Sequence, residues 1–350
     1  MDSIFVKDVL VKDYDPVSML TLKETYVPKP KFPAFDFHAH IGPFNENVLF
    51  PGQSLAEIVQ GLKDVGICGI VNLKLCWGSD FVKFVKMTES YADFIYTFGS
   101  VDIDRMDDVD FASHVDATFK QYKSMGIKGL KFWKNIGLYS KDKSGRFFPV
   151  DDDRLRPIWE AAAKYELITL FHVADPKAFF TPADEKNEHY KELCQFPEWI
   201  FYGPDFFTFE QMMEQQENMI ATNPDTTFVI PHMGSYGENL DWVGAQLDKY
   251  PNMHIDIAAR INVLGRQPYS AREFLIKYRD RIMFGTDFNC CNPTDFYPGH
   301  YRFLETFDEC IEPYEKVWGK VFWNIYGVGL PDDVLEKLYF KNAYKLLRIK

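Results

Sequence analysis

Eight short apolar runs alternate with helical segments along the sequence, and this alternation predicts an α/β fold, a (β/α)8 TIM barrel. Two further observations favour a barrel. The runs are almost continuously apolar, as in 167–171 and 228–230, which is typical of parallel strands buried on both faces. No G-x-G-x-x-G follows the first run and no G-x-x-x-x-G-K-[ST] occurs, so the nucleotide-binding α/β folds lack their phosphate-binding signatures.

The order of the elements follows from local signals. Ser54 is a suitable N-cap for the helix after the first strand. An Ala161-Ala162-Ala163 run favours the helix before the fifth strand, and Pro331 opens the last helix. The predicted strands are 34–40, 67–75, 94–103, 127–133, 167–174, 226–232, 253–259 and 281–287. The predicted helices are 54–65, 79–91, 109–124, 155–165, 209–222, 237–249, 271–279 and 332–347.

The chain divides into an N-terminal arm, residues 1–32, and a single barrel domain, residues 33–350. Several prolines in the arm prevent a long helix. Three long insertions, about 134–153, 175–208 and 288–330, follow carboxyl ends of predicted strands, the face on which barrels build their active sites. The middle insertion is rich in aromatic residues, so it is either a lid over an apolar substrate or a packed structural element.

Composition limits the class of protein. The 350 residues are 46% hydrophobic, which supports a full core. The net charge of −12 argues against nucleic acid and anionic membranes as partners. The six cysteines form no C-x-x-C pair, and we interpret them, Cys290-Cys291 included, as reduced packing residues. Without an apolar leader or spanning segment, we expect a cytoplasmic enzyme with a small-molecule substrate, in a homo-oligomer such as a dimer.

The stretch Phe35-Asp36-Phe37-His38-Ala39-His40-Ile41-Gly42 is the centre of the prediction. Side chains alternate between the two faces of a strand, so Asp36, His38 and His40 are expected to share one face. Two imidazoles two residues apart can converge on one metal ion. The turn signal Gly42-Pro43 places both histidines at the carboxyl end of the first strand.

Further ligand-type residues end other predicted strands. The fifth run is apolar up to His172, the sixth up to His232, and the eighth up to Asp287. One such residue could simply meet solvent. Five of them from four strands of one barrel would converge at its mouth.

This set resembles the amidohydrolase superfamily of metal-dependent TIM-barrel enzymes. His38 and His40 match its H-x-H, His172 and His232 its later histidines, and Asp287 in Gly285-Thr286-Asp287 its aspartate. Two short sequences are similar to those of the amidohydrolase-related branch: Pro231-His232-Met233-Gly234 and Asn342-Ala343-Tyr344-Lys345-Leu346-Leu347. That branch contains aminocarboxymuconate-semialdehyde decarboxylase-like and resorcylate decarboxylase-like enzymes as well as hydrolases. The resemblance runs from about residue 32 to the end.

The resemblance implies roles for these residues. His38, His40, His172 and Asp287 would bind one divalent ion, with Zn²⁺ expected and Mn²⁺ an alternative. The ion would lower the pKa of water toward about 7. His232 would be the general base and acid, and Asp287 both ligand and proton shuttle. Asp36 is expected to support the site by orienting an imidazole.

Several other residues are candidates for substrate binding. Lys131, with Trp133, ends the fourth strand; it is either an ordinary cation or, as in binuclear amidohydrolases, a carboxylated bridge between two metals. Lys134 follows the same strand and Arg260 the seventh. Both are expected to bind a substrate carboxylate, Arg260 by a two-pronged hydrogen bond.

The sequence leaves the reaction open. In hydrolysis, activated water attacks an amide, ester or lactone. In non-oxidative decarboxylation, the metal holds the carboxylate of an aromatic or unsaturated acid, and a side chain delivers a proton to carbon. Fold and ligands are shared by both reactions. We favour hydrolysis, with decarboxylation (a lyase reaction) as the alternative and an inactive binding protein as the third reading.

Overall fold

A computed structural model of the protein describes residues 8–10, 14, 16–42, 54–289 and 293–349. The described residues form eight strands in two parallel sheets, ordered β1-β2-β3 and β4-β5-β6-β7-β8. Within each sheet, every strand pairs with the next along the chain. The strands are β1 Ala34–Ala39, β2 Ile67–Asn72, β3 Ile95–Thr97, β4 Gly129–Phe132, β5 Ile168–Phe171, β6 Phe228–Ile230, β7 Met253–Asp256 and β8 Ile282–Met283.

Backbone hydrogen bonds join the two sheets on both sides. Between β3 and β4, the N–H of Lys131 donates to the Gly99 carbonyl at 2.7 Å. Between β1 and the chain following β8, the N–H of Phe37 donates to the Phe284 carbonyl at 2.8 Å and that of Asp287 to the His38 carbonyl at 2.8 Å. These bonds close the predicted barrel, which confirms the fold class.

Helices cover the outside of the barrel. The helix 55–64 begins as expected: the Ser54 hydroxyl and the Glu57 carboxylate form a reciprocal capping box. The longer helices are Leu55–Asp64, Gly78–Met87, Phe111–Ser124, Arg156–Lys164, Phe209–Thr222, Leu240–Lys249, Pro268–Lys277 and Pro293–Glu305. The last segment is helical over Asp332–Glu336, has a π-helical turn at Lys337–Lys341 and ends with the helix Asn342–Leu347. No helix in the described residues is long and apolar enough to cross a membrane.

The insertions differ in content. The second contains short helices, Lys177–Phe180, Tyr190–Gln195 and Pro197–Trp199. The third contains the 13-residue helix Pro293–Glu305, which the sequence analysis treated as a connection. The described part of the arm is tied to this third insertion, since Thr25 donates to Asp308 through both its N–H and its hydroxyl. The cysteines among the described residues are free thiols; Cys290-Cys291 and Pro43 lie outside those residues.

The core has two parts. One cluster lies between the strands and the helices. The other fills the barrel interior and comprises Phe35, Phe37, Val71, Leu73, Phe98, Ile168, Leu170, Val229 and Met283 among its members. Within this cluster, Phe35 and Phe37 of β1 and Ile168 and Leu170 of β5 stand at alternate positions, as expected of strands that face a barrel interior.

Buried Asp36 ties the junction of β1 with the chain after β8. Its Oδ2 accepts hydrogen bonds from the hydroxyls of Thr286 at 2.5 Å and Tyr297 at 2.7 Å. Its Oδ1 accepts from the N–H of His38 at 2.9 Å and of Thr286 at 3.1 Å. Burial raises the pKa of Asp36 to about 6, and the bonds from Thr286 and Tyr297 act in the opposite direction by favouring the carboxylate.

Tyr297→Phe should therefore lower the free energy of unfolding by about 1.5–3 kcal/mol, because it removes a hydrogen bond to a buried carboxylate. The matched control is Tyr301→Phe in the same helix, whose hydroxyl donates to the neutral Val65 carbonyl. We expect that control to cost about 0.5–1.5 kcal/mol. Urea denaturation of the three proteins measures the difference, and equal losses would show that Asp36 does not depend on Tyr297.

Candidate active site

A cavity of about 620 Å³ opens at the carboxyl ends of the strands. His38, His40, His172, His232 and Asp287 all line it, together with residues of the second and third insertions. A larger cavity of about 800 Å³ lies at the opposite end of the barrel, around Ile127, Leu167 and His254. That cavity includes none of the predicted site residues, so we place the candidate active site at the carboxyl end.

Asp256, the last residue of β7, organises the centre of the site. It is fully buried. Its Oδ2 lies 2.8 Å from His38 Nδ1, so that nitrogen carries a hydrogen and donates it. Its Oδ1 accepts the backbone N–H groups of His232 at 2.9 Å and Ala258 at 3.0 Å. Because the Asp256 oxygens already have donors, we interpret Asp256 as a support for ligands and not as a ligand.

The first strand does not keep a simple alternation. Its pairing with β2 is shifted between Asp36 and Ala39. Phe37 belongs to the interior cluster, yet His38 also reaches the barrel mouth at Asp256. The expectation that Asp36 shares a face with His38 and orients an imidazole is therefore corrected. Asp36 accepts hydrogen bonds from the backbone N–H of His38 and from the hydroxyl of Tyr297, and it is Asp256 that orients the His38 ring. The irregular pairing of β1 with β2 changes the alternation of side chains along β1, so Asp36 and His38 meet different neighbours.

Asp287 meets both histidines of the H-x-H. Its Oδ1 lies 3.1 Å from His40 Nε2 and 3.5 Å from His38 Nε2. Burial opposes ionisation, but the hydrogen bond from His40 and the neighbouring imidazoles hold the pKa of Asp287 well below its usual value. Burial also lowers the pKa of His40, so its ring favours the neutral form that binds metals.

The close approach of the eighth strand to the first depends on Gly285. A Cβ at this position would lie 3.0 Å from the His38 Cβ and 3.2 Å from the Asp256 Cβ. A larger residue would push these two side chains apart. Gly285 in the Gly285-Thr286-Asp287 sequence thus permits the packing that brings Asp287 to the histidines.

His232 lies in a strained backbone segment. The chain leaves β6 at Ile230, and the run from His232 to Ser235 has positive φ throughout, with φ of 55° at His232. The sequence prediction extended the strand through His232, which is wrong by two residues. His232 Nδ1 lies 2.9 Å from the Ala258 carbonyl and donates to it, so Nε2 presents a lone pair. Burial, with nearby His172 and His38, lowers the pKa of His232 well below its usual value.

His172 is held by a partner that the sequence analysis did not consider. Its Nε2 lies 3.2 Å from Asp175 Oδ1, and its ring centre lies 4.3 Å from that of His232. Asp175 also forms a buried ion pair with Lys134. Burial raises the pKa of Asp175 and the charge of Lys134 lowers it; with the His172 contacts, the result is a pKa below the usual value. Burial lowers the pKa of His172 to about 4.

The predicted cations differ in how they are engaged. Lys134 is neutralised by Asp175 and lies 5.3 Å from the centre of the Trp199 ring. Lys131 is buried inside the barrel mouth, and burial lowers its pKa to about 8. Arg260 donates from Nη1 to the Ala259 carbonyl, while its Nε has no partner in the described part of the chain. Trp133 lines the cavity and stacks on Tyr139 at 5.3 Å.

The residues fit a divalent cation. Donor atoms of His38, His40 and Asp287 lie within 4.8 Å of one another. His38 Nε2 is buried and has no hydrogen-bond partner among the described residues, as expected of a nitrogen that binds a metal. His172 does not belong to this group, and its Nε2 lies 3.2 Å from Asp175 Oδ1. A second group, His38, His232 and Asp256, is explained by the hydrogen bonds of Asp256.

Two residues of the site were missed from the sequence. Asp256 stands in Asp256-Ile257-Ala258-Ala259-Arg260, and a carboxylate inside an otherwise apolar part of the predicted strand 253–259 was the available signal. Asp175 lies three residues beyond His172 at the start of the second insertion. Neither partner can be read from local pattern alone, since each pairing depends on another strand end or on the insertion.

Comparisons with known proteins concern the family and the fold. A family model described as Amidohydrolase matches residues 97–349. A search of curated proteins gives no match. The fold is similar to a TIM-barrel protein from Bordetella bronchiseptica, with 13% identity over 90% of this chain and 98% of the other and a TM-score of 0.56.

Two further solved structures are similar in fold. The 2,6-dihydroxybenzoate decarboxylase from Rhizobium has 13% identity over 91% of this chain and 99% of its own, with a TM-score of 0.54. An amidohydrolase from Burkholderia multivorans with bound zinc has 12% identity over 91% and 99%, with a TM-score of 0.54. At such identities the likeness concerns the fold alone.

Asp256→Asn should lower the affinity for zinc by about 10- to 100-fold, because the His38 ring loses its carboxylate support. Metal content after dialysis and competition with a chelator measure this loss. The control is Asp241→Asn, an exposed position outside the cavity. A zinc affinity equal to that of the control, in a folded Asp256→Asn protein, would contradict the role given to Asp256.

Proposed function

The chain belongs to the amidohydrolase family, and from this premise we propose that it is a metal-dependent hydrolase of a small organic substrate bearing a carboxylate. The observation that carries the choice of hydrolysis is the hydrogen bond from His232 Nδ1 to the Ala258 carbonyl. This bond places the hydrogen on Nδ1 and leaves Nε2 as a base facing the cavity. Asp287, whose pKa is also low, adds a second proton acceptor.

One divalent ion, which we propose to be Zn²⁺, would be held by His38, His40 and Asp287. It would supply Lewis acidity that polarises a carbonyl and activates water. His172 is the proposed fourth ligand, which requires its Nε2 to exchange Asp175 for the ion. We propose a single ion and an unmodified Lys131, which lines the cavity and can donate to a substrate oxygen.

The side chains then divide the work. Nε2 of His232 accepts a proton from the attacking water and returns it to the leaving group. Asp287 shares this proton transfer. The free Nε–H side of Arg260 binds the substrate carboxylate, since its Nη1 is already fixed on the Ala259 carbonyl. Trp133 supplies a flat apolar wall beside Lys134.

Non-oxidative decarboxylation is the second candidate. The same Arg260 and the aromatic side chains of Trp133, Phe179 and Trp199 in the cavity suit a planar aromatic acid. In that reaction, however, the side chain that delivers a proton to carbon must be protonated at the start, whereas in hydrolysis it first receives a proton from water. His232 and Asp287 are both arranged to begin as acceptors. This arrangement is why we place hydrolysis first.

The test is a metal analysis combined with a screen of the zinc-loaded protein on lactones, amides and aromatic acids. We expect one zinc per chain and proton release without CO₂. Release of CO₂ from an aromatic acid would select decarboxylation and overturn the hydrolase proposal. Two ions per chain with a modified Lys131 would overturn the single-metal site, and no turnover by the loaded protein would favour a binding role.

His232→Asn should retain zinc and lose activity by about 10²- to 10⁴-fold, because it removes the base but none of the proposed ligands. His38→Asn is the comparison variant and should lose both zinc and activity. Metal content and kcat on whichever substrate the screen identifies are measured for both. If His232→Asn loses zinc in parallel with activity, His232 is a ligand and the base must be sought elsewhere.

A further inference from the structure

The wall of the cavity built by the insertions carries its own set of polar groups. His189 comes from the second insertion and Glu315 from the third, while Arg260 and Asn262 follow β7. The positive charge of Arg260 acts on both His232 and Glu315, so this wall adjoins the proposed catalytic residues. We call these four residues the insertion wall.

Each member of the insertion wall has a buried polar atom without a hydrogen-bond partner among the described residues. These atoms are His189 Nε2, Arg260 Nε, Asn262 Oδ1 and Glu315 Oε2. A buried polar group without a partner costs about 1–3 kcal/mol. Four such atoms in residues that line one cavity indicate that these groups form hydrogen bonds with a ligand, just as the unpartnered His38 Nε2 indicates metal binding.

Neighbouring contacts fix the hydrogen-bonding character of the wall. His189 Nδ1 lies 3.0 Å from Glu192 Oε2 and donates to it, so in the tautomer with hydrogen on Nδ1 the other nitrogen, Nε2, presents a lone pair. Asn262 presents its amide oxygen, and Glu315 a carboxylate oxygen. Burial raises the pKa of Glu315, and a backbone hydrogen bond and the charges of Lys320 and Arg260 act against this by favouring the carboxylate. The wall thus offers three acceptors beside the one donor of Arg260.

The charges around the wall are balanced. Lys134 is paired with Asp175, and Lys320 lies 3.3 Å from Glu192. Glu315 and Arg260 offset one another. With no excess negative charge, the wall is unsuited to a cation, and its three acceptors call for a neutral group with N–H or O–H donors.

We propose that the insertion wall binds a neutral carboxamide-type group of the substrate, whose two amide hydrogens are donated within the acceptor set of Asn262, Glu315 and His189. This inference rests on the proposed function only in that the substrate occupies this cavity. The wall would be a second recognition site for the substrate, in addition to Arg260, which binds the carboxylate. A substrate that bears both groups would bridge the wall, with its planar part against the aromatic residues.

The experiment compares two ligands of nearly the same shape on the zinc-loaded protein, 4-carbamoylbenzoate and 4-acetylbenzoate. Both keep the carboxylate and a carbonyl, but only the first has N–H donors. Titration calorimetry should give an affinity for the carboxamide at least about 10-fold higher, since the ketone leaves buried acceptors unpaired. Equal affinities, or no binding of either ligand at millimolar concentration, would overturn the proposal.

Variants locate the effect. In Glu315→Met and Asn262→Leu we expect the preference for the carboxamide to fall to about 3-fold or less, with little change for the ketone. Glu309→Met, at an exposed position outside the cavity, is the control and should keep the wild-type preference. A preference that survives both wall variants would also overturn the assignment. The experiment measures binding and not turnover. If the protein shows no turnover, the hydrolase proposal fails, but the comparison of the two ligands still tests the insertion wall.

Discussion

The buried carboxylate of Asp256 is the constraint on which the rest of the site depends. It receives the ring N–H of His38 and the backbone N–H groups of His232 and Ala258, so it joins the ends of β1, β6 and β7. A buried carboxylate is tolerable only when its oxygens are satisfied by donors. The same bonds that stabilise Asp256 therefore set the tautomer of His38 and place the strained segment at His232. Ligand geometry and backbone strain have one common cause.

Much of this arrangement follows from the sequence, because apolar runs and helix signals are local. All eight strands and their order were predicted, and the strand-end residues His38, His40 and Asp287 do come together. The phase of β1 could not be predicted. Alternation places Asp36 beside His38, but a shift in pairing with β2 sends the two side chains to different neighbours. Such a shift depends on contacts between distant segments of the chain, and the alternation of residue types along one strand carries no information about them.

The partners of the charged residues were also not predictable from the sequence. Lys134 was expected to bind a substrate anion, yet Asp175 of the following insertion already neutralises it and also occupies His172. A lysine and an aspartate 41 residues apart give no local signal of pairing. Arg260 differs because its guanidinium keeps an unpaired Nε after bonding the Ala259 carbonyl. The choice between structural and substrate-binding cations thus depends on the insertions, whose conformation the sequence pattern does not define.

The residues proposed for the reaction and those proposed for substrate specificity lie in different parts of the chain. The strand ends hold His38, His40, His232 and Asp287 against a rigid barrel, where small displacements of a side chain are costly. The insertions supply His189 and Glu315, and His189 is held by contacts within the insertions, with Glu192 and Trp323. Changes in the insertions can alter the groups that a substrate meets without disturbing the bonds of Asp256. Fold and strand-end residues then define the class of chemistry, while the insertion wall determines which molecule reaches it.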